Sequence, residues 1–142
     1  MTSKVFNEGL ENILALALSS VTIEVALVMT NTTVDTENDG ISADTDFSTI
    51  DEHDGSGYGR QTLASKTVTK DDTNDRAKFD AADTTFASLG AGSRDVAGVL
   101  LLWDDGGTKR PISYHEYASP RVADGGDFVV EWRNDTGLIL AQ

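Results

Sequence analysis

The stretch Val21-Thr22-Ile23-Glu24-Val25-Ala26-Leu27-Val28-Met29-Thr30 decides the fold class. Val21, Ile23, Val25, Leu27 and Met29 take every second position, with Thr22, Glu24 and Ala26 between them. A β-strand turns successive side chains to opposite faces, so this alternation predicts a strand with one buried face. Working outward, further short strand candidates follow at close spacing: Gln61–Thr69, Arg76–Asp80, Thr84–Ala87, Asp95–Trp103, Pro111–Tyr117, Asp127–Arg133 and Leu138–Ala141. Turn-forming runs separate them, among them Lys70-Asp71-Asp72-Thr73-Asn74-Asp75, Asp104-Asp105-Gly106-Gly107 and Asp124-Gly125-Gly126. Val96–Trp103 is almost continuously apolar, which predicts a central strand covered on both faces. Phe128, Val130 and Trp132 alternate with Val129, Glu131 and Arg133, the pattern of a half-exposed strand.

About seven to eight short strands with turns between them predict a mainly β fold, an antiparallel β-sandwich or small barrel. Two segments stand outside that rhythm. In residues 6–18, Leu10, Ile13, Leu14 and Ala17 fall at helical spacing, so residues 1–20 read as an N-terminal segment with a short helix. Residues 31–59 are rich in Asp, Thr, Ser and Gly, with Val34, Ile41, Phe47, Ile50 and Tyr58 as apolar anchors. They read as one long acidic loop, a length usually associated with function or mobility. Residues 1–142 are expected to form a single β-rich domain.

Composition bounds the function. Hydrophobic residues make up 39% of the 142, enough for a real core. There is no cysteine, which removes disulfides, thiolate metal sites and cysteine nucleophiles. Asp and Glu number 24 against 11 Lys and Arg, a formal charge of −13. Such a surface repels phosphate and anionic lipid, so neither nucleic acid nor membrane is an expected partner. Asp outnumbers Glu 17 to 7, a bias that fits a saline (halophilic) setting. The apolar run Ile13–Leu18 follows Glu8 and Glu11 and falls far short of the ~20 residues of a span, so it reads as a core element.

The chemistry-bearing residues are sparse. His53 lies in the acidic loop and His115 in the alternating run Tyr114-His115-Glu116-Tyr117, and neither has a metal-binding spacing to another His. The Gly-rich runs 55–59 and 90–92 match no phosphate loop. No catalytic residue is expected. One metal pattern stands out: within Asp35–Asp46, Asp35, Glu37, Asp39 and Asp46 take positions 1, 3, 5 and 12 of a calcium loop, with Gly40 at position 6. Position 12 is Asp where the pattern has a bidentate Glu, and Ser42 stands where an apolar residue belongs. Calcium at these four residues is the cofactor reading the sequence offers; a solvated acidic loop is the alternative.

Three further features carry a resemblance. Asp54-Gly55-Ser56-Gly57-Tyr58-Gly59 leads into a strand, Asp71-Asp72-Thr73-Asn74-Asp75-Arg76 forms a turn, and Trp132 is followed by Gly137 near the end. In that order, with the apolar strand Val96–Leu102 between them, they resemble a family of small virion structural proteins of tailed viruses. The resemblance runs from about Lys4 onward, with an acidic insert around Asp35–Asp46. It implies a non-enzymatic accessory or decoration protein of the capsid, located in the virion. Its implied partners are the major capsid protein, other virion proteins and further copies of itself. Two alternatives stay open: a tail, vertex or fibre component touching the host surface, and a calcium-dependent carbohydrate-binding module using Asp35, Glu37, Asp39 and Asp46. A hydrolase ranks last, since no nucleophile–base set is visible in the sequence.

Overall fold

A computed structural model describes residues 20–37 and 39–132, the backbone of 139–141, and the isolated positions Phe6, Ala15 and Leu18. The chain is mainly β, with several antiparallel pairings, consistent with the expected sandwich. The N-terminal helix expected over residues 6–18 lies outside the described residues, isolated positions apart. Among the described residues nine strands are seen: β1 (Ile23–Met29), β2 (Gln61–Thr62), β3 (Thr67–Asp71), β4 (Arg76–Asp80), β5 (Thr84–Phe86), β6 (Val96–Asp105), β7 (Thr108–Arg121), β8 (Phe128–Val130) and β9 (Ile139–Ala141). The residues cluster into two compact units.

The larger unit comprises Thr22–Thr62 and Thr84–Val129. Its main sheet has the order β2-β1-β6-β7, every neighbour antiparallel. β1 and β6 lie inside, and Val96–Leu102 is buried throughout, as a central strand must be. β1 departs from the half-buried expectation: both alternating sets are buried, Ala26 and Val28 as fully as Val25 and Leu27. The reason is the long loop. Val34, Phe47 and Ile50 pack with Tyr114 of β7 over Ala26, Val28, Leu100 and Leu102. Val34 is buried and Phe47 and Ile50 are partly so, and the apolar area they take from water holds a polar segment down. Backbone bonds finish the task. Met29 N–H donates to Asp51 O at 2.8 Å and His53 N–H to Leu27 O at 2.9 Å, so the loop's last residues run beside β1 where β2 has ended. Among its described residues the loop carries a 3-10 turn, Asp44–Asp46. β5 and β8 form a separate two-stranded sheet.

The second unit comprises Met1–Val21, Leu63–Asp83 and Val130–Gln142. Its described sheet has the order β3-β4-β9. Ala77 and Phe79 of β4 are fully buried between half-buried Arg76, Lys78 and Asp80, a clean period of two. The β3–β4 turn is tied by one carboxylate: Asp71 Oδ2 accepts from Asn74 Nδ2 and from Arg76 Nε, both at 2.8 Å. Asp75 takes a left-handed φ of 50°, which Asp tolerates in turns. The predicted strand Gln61–Thr69 is two strands, β2 and β3, interrupted at Ser65 with φ 52°.

Candidate functional site

In the larger unit the long loop lies along β7. Three depressions border this loop. One of about 290 Å3 is largely apolar, with Ile41 and Phe47 facing Pro111, Ile112 and Tyr114. One of about 350 Å3 is lined by Thr36, Glu37, Asp39, Ile41 and Asp46. The third, about 260 Å3, lies at the other end, between Thr30–Asp35 and Glu116–Pro120.

The four predicted calcium ligands are therefore split. Glu37, Asp39 and Asp46 line one depression, and Asp35 lines another. Two of them are already engaged. Glu37 accepts from the Ser48 hydroxyl, the Ser48 amide and the Thr33 hydroxyl, and these bonds hold its carboxyl below the usual range. Asp46 Oδ2 accepts from the amides of Ser42 and Ala43, each at 2.9 Å, and from the Ser42 hydroxyl, with the same effect. Their local role is to close the loop's turns. Among the described residues, no three acidic or His side chains are placed to hold a metal ion.

Arg60 is the charged hub that sequence reading missed. Its guanidinium meets Glu52 of the loop, Asp44 of the 3-10 turn at 3.2 Å and Glu24 of β1 at 3.4 Å. Burial alone would raise Glu52, but hydrogen bonds from Arg60 and Tyr58 outweigh it and hold the carboxyl low. Tyr58 Oη donates to Glu52 Oε1 at 2.6 Å and accepts from Leu27 N–H at 3.1 Å. Burial, then the Glu52 carboxylate, pushes its hydroxyl far above the usual phenol range. Lys109 of β7 extends the network to Glu24 at 2.6 Å and Asp104 at 2.9 Å. The only sequence signal for this hub is a lone Arg among acids.

The histidines take unlike places. His53 is 3% exposed and enclosed by glycines; Nε2 donates to Gly90 O at 3.1 Å, and Nδ1 has no hydrogen-bond partner. Its face meets Tyr58 edge-on, with centroids 5.5 Å apart. His115 is half-buried on β7, where desolvation holds it below the usual imidazole range, and its Nε2 lies 3.0 Å from Ser113 Oγ. This Ser–His contact joins neighbours on one face of a strand. The tryptophans also divide: Trp132 is buried, its amide bonded to Asp83 Oδ1 at 2.9 Å, whereas Trp103 is 36% exposed.

The tyrosine between the first and third depressions is Tyr114. Burial, then the carboxylates of Glu116 and Asp35, pushes its hydroxyl up to about 12. Comparison with protein-family models, curated proteins and solved structures returned no match.

Proposed function

We propose that this chain is a non-enzymatic structural protein of a tailed-virus particle, a decoration or accessory protein that binds the major capsid protein in many copies. One observation carries the reading: of the residues that bear the family resemblance, Tyr58, Asp71, Asn74 and Trp132 hold local structure and stay out of the clefts. Tyr58 ties the loop to β1, Asp71 and Asn74 close the β3–β4 turn, and Trp132 is a buried side chain. None of them lines any of the three depressions. A pattern spent on local structure suits a protein that works by surface burial, where a standard interface covers ~1,600 Å2. The net charge of −13 favours an outward-facing position, since packaged DNA would repel an inward one. Among the described residues no helix is long and apolar enough to cross a membrane.

Mass spectrometry of purified infectious particles tests this. The chain is expected as a stoichiometric component that stays with the particle through density-gradient purification. Its absence from such particles, with the protein found free in the cell, overturns the proposal.

A further inference from the structure

The third depression has a composition none of the turn-holding residues explains. Thr30, Asn31, Thr32 and Asp35 face Tyr114, Glu116 and Tyr117 across about 260 Å3. This lies below the ~300–1,000 Å3 of sites for drug-sized ligands and suits a single side chain. Its walls are held. Tyr114 lies against Gly98, whose added Cβ would fall 2.6 Å from Tyr114 Oη. The β6–β7 register slips between Val96 and Gly98, which throws the strand out as a bulge between Glu116 and Arg121. Arg121 pins the bulge's end, its guanidinium 5.2 Å from the Tyr117 ring and 4.5 Å from the Phe128 ring, with Nη1 bonded to Val129 O. Next to it Val122 is 67% exposed.

The charge of the cleft is the decisive feature. Glu24, Asp44, Asp51, Glu52, Asp71, Asp104 and Asp105 all meet a Lys or Arg. Asp35 and Glu116 meet none among the described residues; Glu37, Asp46 and Asp54 share that, but Asp35 and Glu116 line one cleft together and both act on the Tyr114 hydroxyl. Tyr114 Oη itself is buried without a hydrogen-bond partner. The cleft thus offers two carboxylates without a cationic partner and two tyrosine walls.

We infer that this cleft receives a lysine or arginine side chain from the protein partner. Its cationic head donates to Asp35 and Glu116, its methylene stem lies on the tyrosine rings, and apolar neighbours in the partner cover Val122. A second copy of this chain is the poorer match, because two bodies of charge −13 repel and its few cations are largely engaged at home. That the partner is a virion protein rests on the proposed function; the cleft's preference for a cation does not.

Amide NMR of the full chain titrated with three capped tripeptides, Gly-Arg-Gly, Gly-Lys-Gly and Gly-Gln-Gly, tests the inference. The Arg and Lys peptides are expected to shift Thr30–Thr32, Ala97 and Glu116–Ala118 saturably, and the Gln peptide to leave them in place. Asp35→Asn/Glu116→Gln should weaken the cationic peptides about fivefold or more, and Glu131→Gln, an exposed acid elsewhere, should not. The spectrum of each variant reports directly that the fold is kept. Equal shifts with the Gln peptide, shifts spread over the whole acidic surface, or indifference to the double variant each overturn the inference. Particle composition is read separately, so either proposal can fail with the other intact.

Discussion

Arg60 grips Glu52 at both carboxylate oxygens, Nε to Oε1 at 2.9 Å and Nη2 to Oε2 at 2.8 Å. The fork matches the planar guanidinium to the planar carboxylate, and the same cation reaches Glu24 and Asp44. One base thus joins acids of β1, the 3-10 turn and the end of the long loop. Arg60→Ala leaves those carboxylates facing one another and is expected to cost roughly 2 kcal/mol, since the site is only partly buried. Arg60→Lys should recover less than half, because an ammonium cannot fork. Urea melts measure both; an Ala variant as stable as the parent refutes the role.

Gly92 stands where a side chain would strike His53: an added Cβ falls 2.7 Å from its Cε1 and 2.8 Å from its Nδ1. Gly92→Ala should destabilise by about 1–3 kcal/mol through overpacking. In a His53→Ala background the same change should cost less, because the ring is gone, while Asp54 Oδ1, at 2.9 Å from the added Cβ, still stands in the way. A double-mutant cycle by thermal melting checks this, and strict additivity of the two costs counts against the packing account.

Stability should fall on both sides of neutrality. Glu37, Asp46, Asp54 and Asp71 are held below their ordinary values by hydrogen bonds. The stability they supply is present above the unfolded carboxylate range near pH 4 and is lost as pH falls through their folded values. His115, lowered by burial, adds stability above its unfolded value of about 6.5 that is lost below it, so His115→Gln should flatten the slope just below that value. Tyr58 and Tyr114 are raised, so their contribution is full below the unfolded value of about 10 and is lost above it. Circular dichroism melts across pH, with tyrosinate absorbance on the alkaline side, read these windows. Normal ionisation of all tyrosines in the folded protein would contradict them.

Calcium is expected to leave the melting temperature where EDTA leaves it. To bind at the predicted loop, the ion would have to draw Glu37 and Asp46 away from Ser48, Thr33, Ser42 and Ala43, and bring Asp35 from a separate depression. A saturable rise with millimolar calcium would support Asp35, Glu37, Asp39 and Asp46 as a ligand set.

Salt should act in the opposite sense to its effect on a balanced surface. With 24 acids against 11 bases, self-repulsion outweighs the exposed ion pairs, and screening relieves it. The melting temperature should rise from dilute buffer to molar sodium chloride. A flat or falling curve removes the saline reading.

What the sequence determined by itself was local. Arg76–Asp80 is a strand with the predicted bounds, and the bounds of β1, β5 and β6 lie within two residues of expectation. Period-two alternation and turn chemistry act between neighbours in the chain, so they can be read from it. Tertiary structure decided everything that depends on distant partners. The loop over residues 31–59, polar by composition, became the cover of β1 because Val34, Phe47 and Ile50 found an open sheet face. β7 runs from Thr108 to Arg121, well past the predicted Pro111–Tyr117, because β6 supplies a partner along that length, bulges included. Arg60 met acids 8, 16 and 36 residues away, and Asp35 came to face Glu116. Charges so far apart in sequence interact only once packing has set their separation, and no local pattern records that distance.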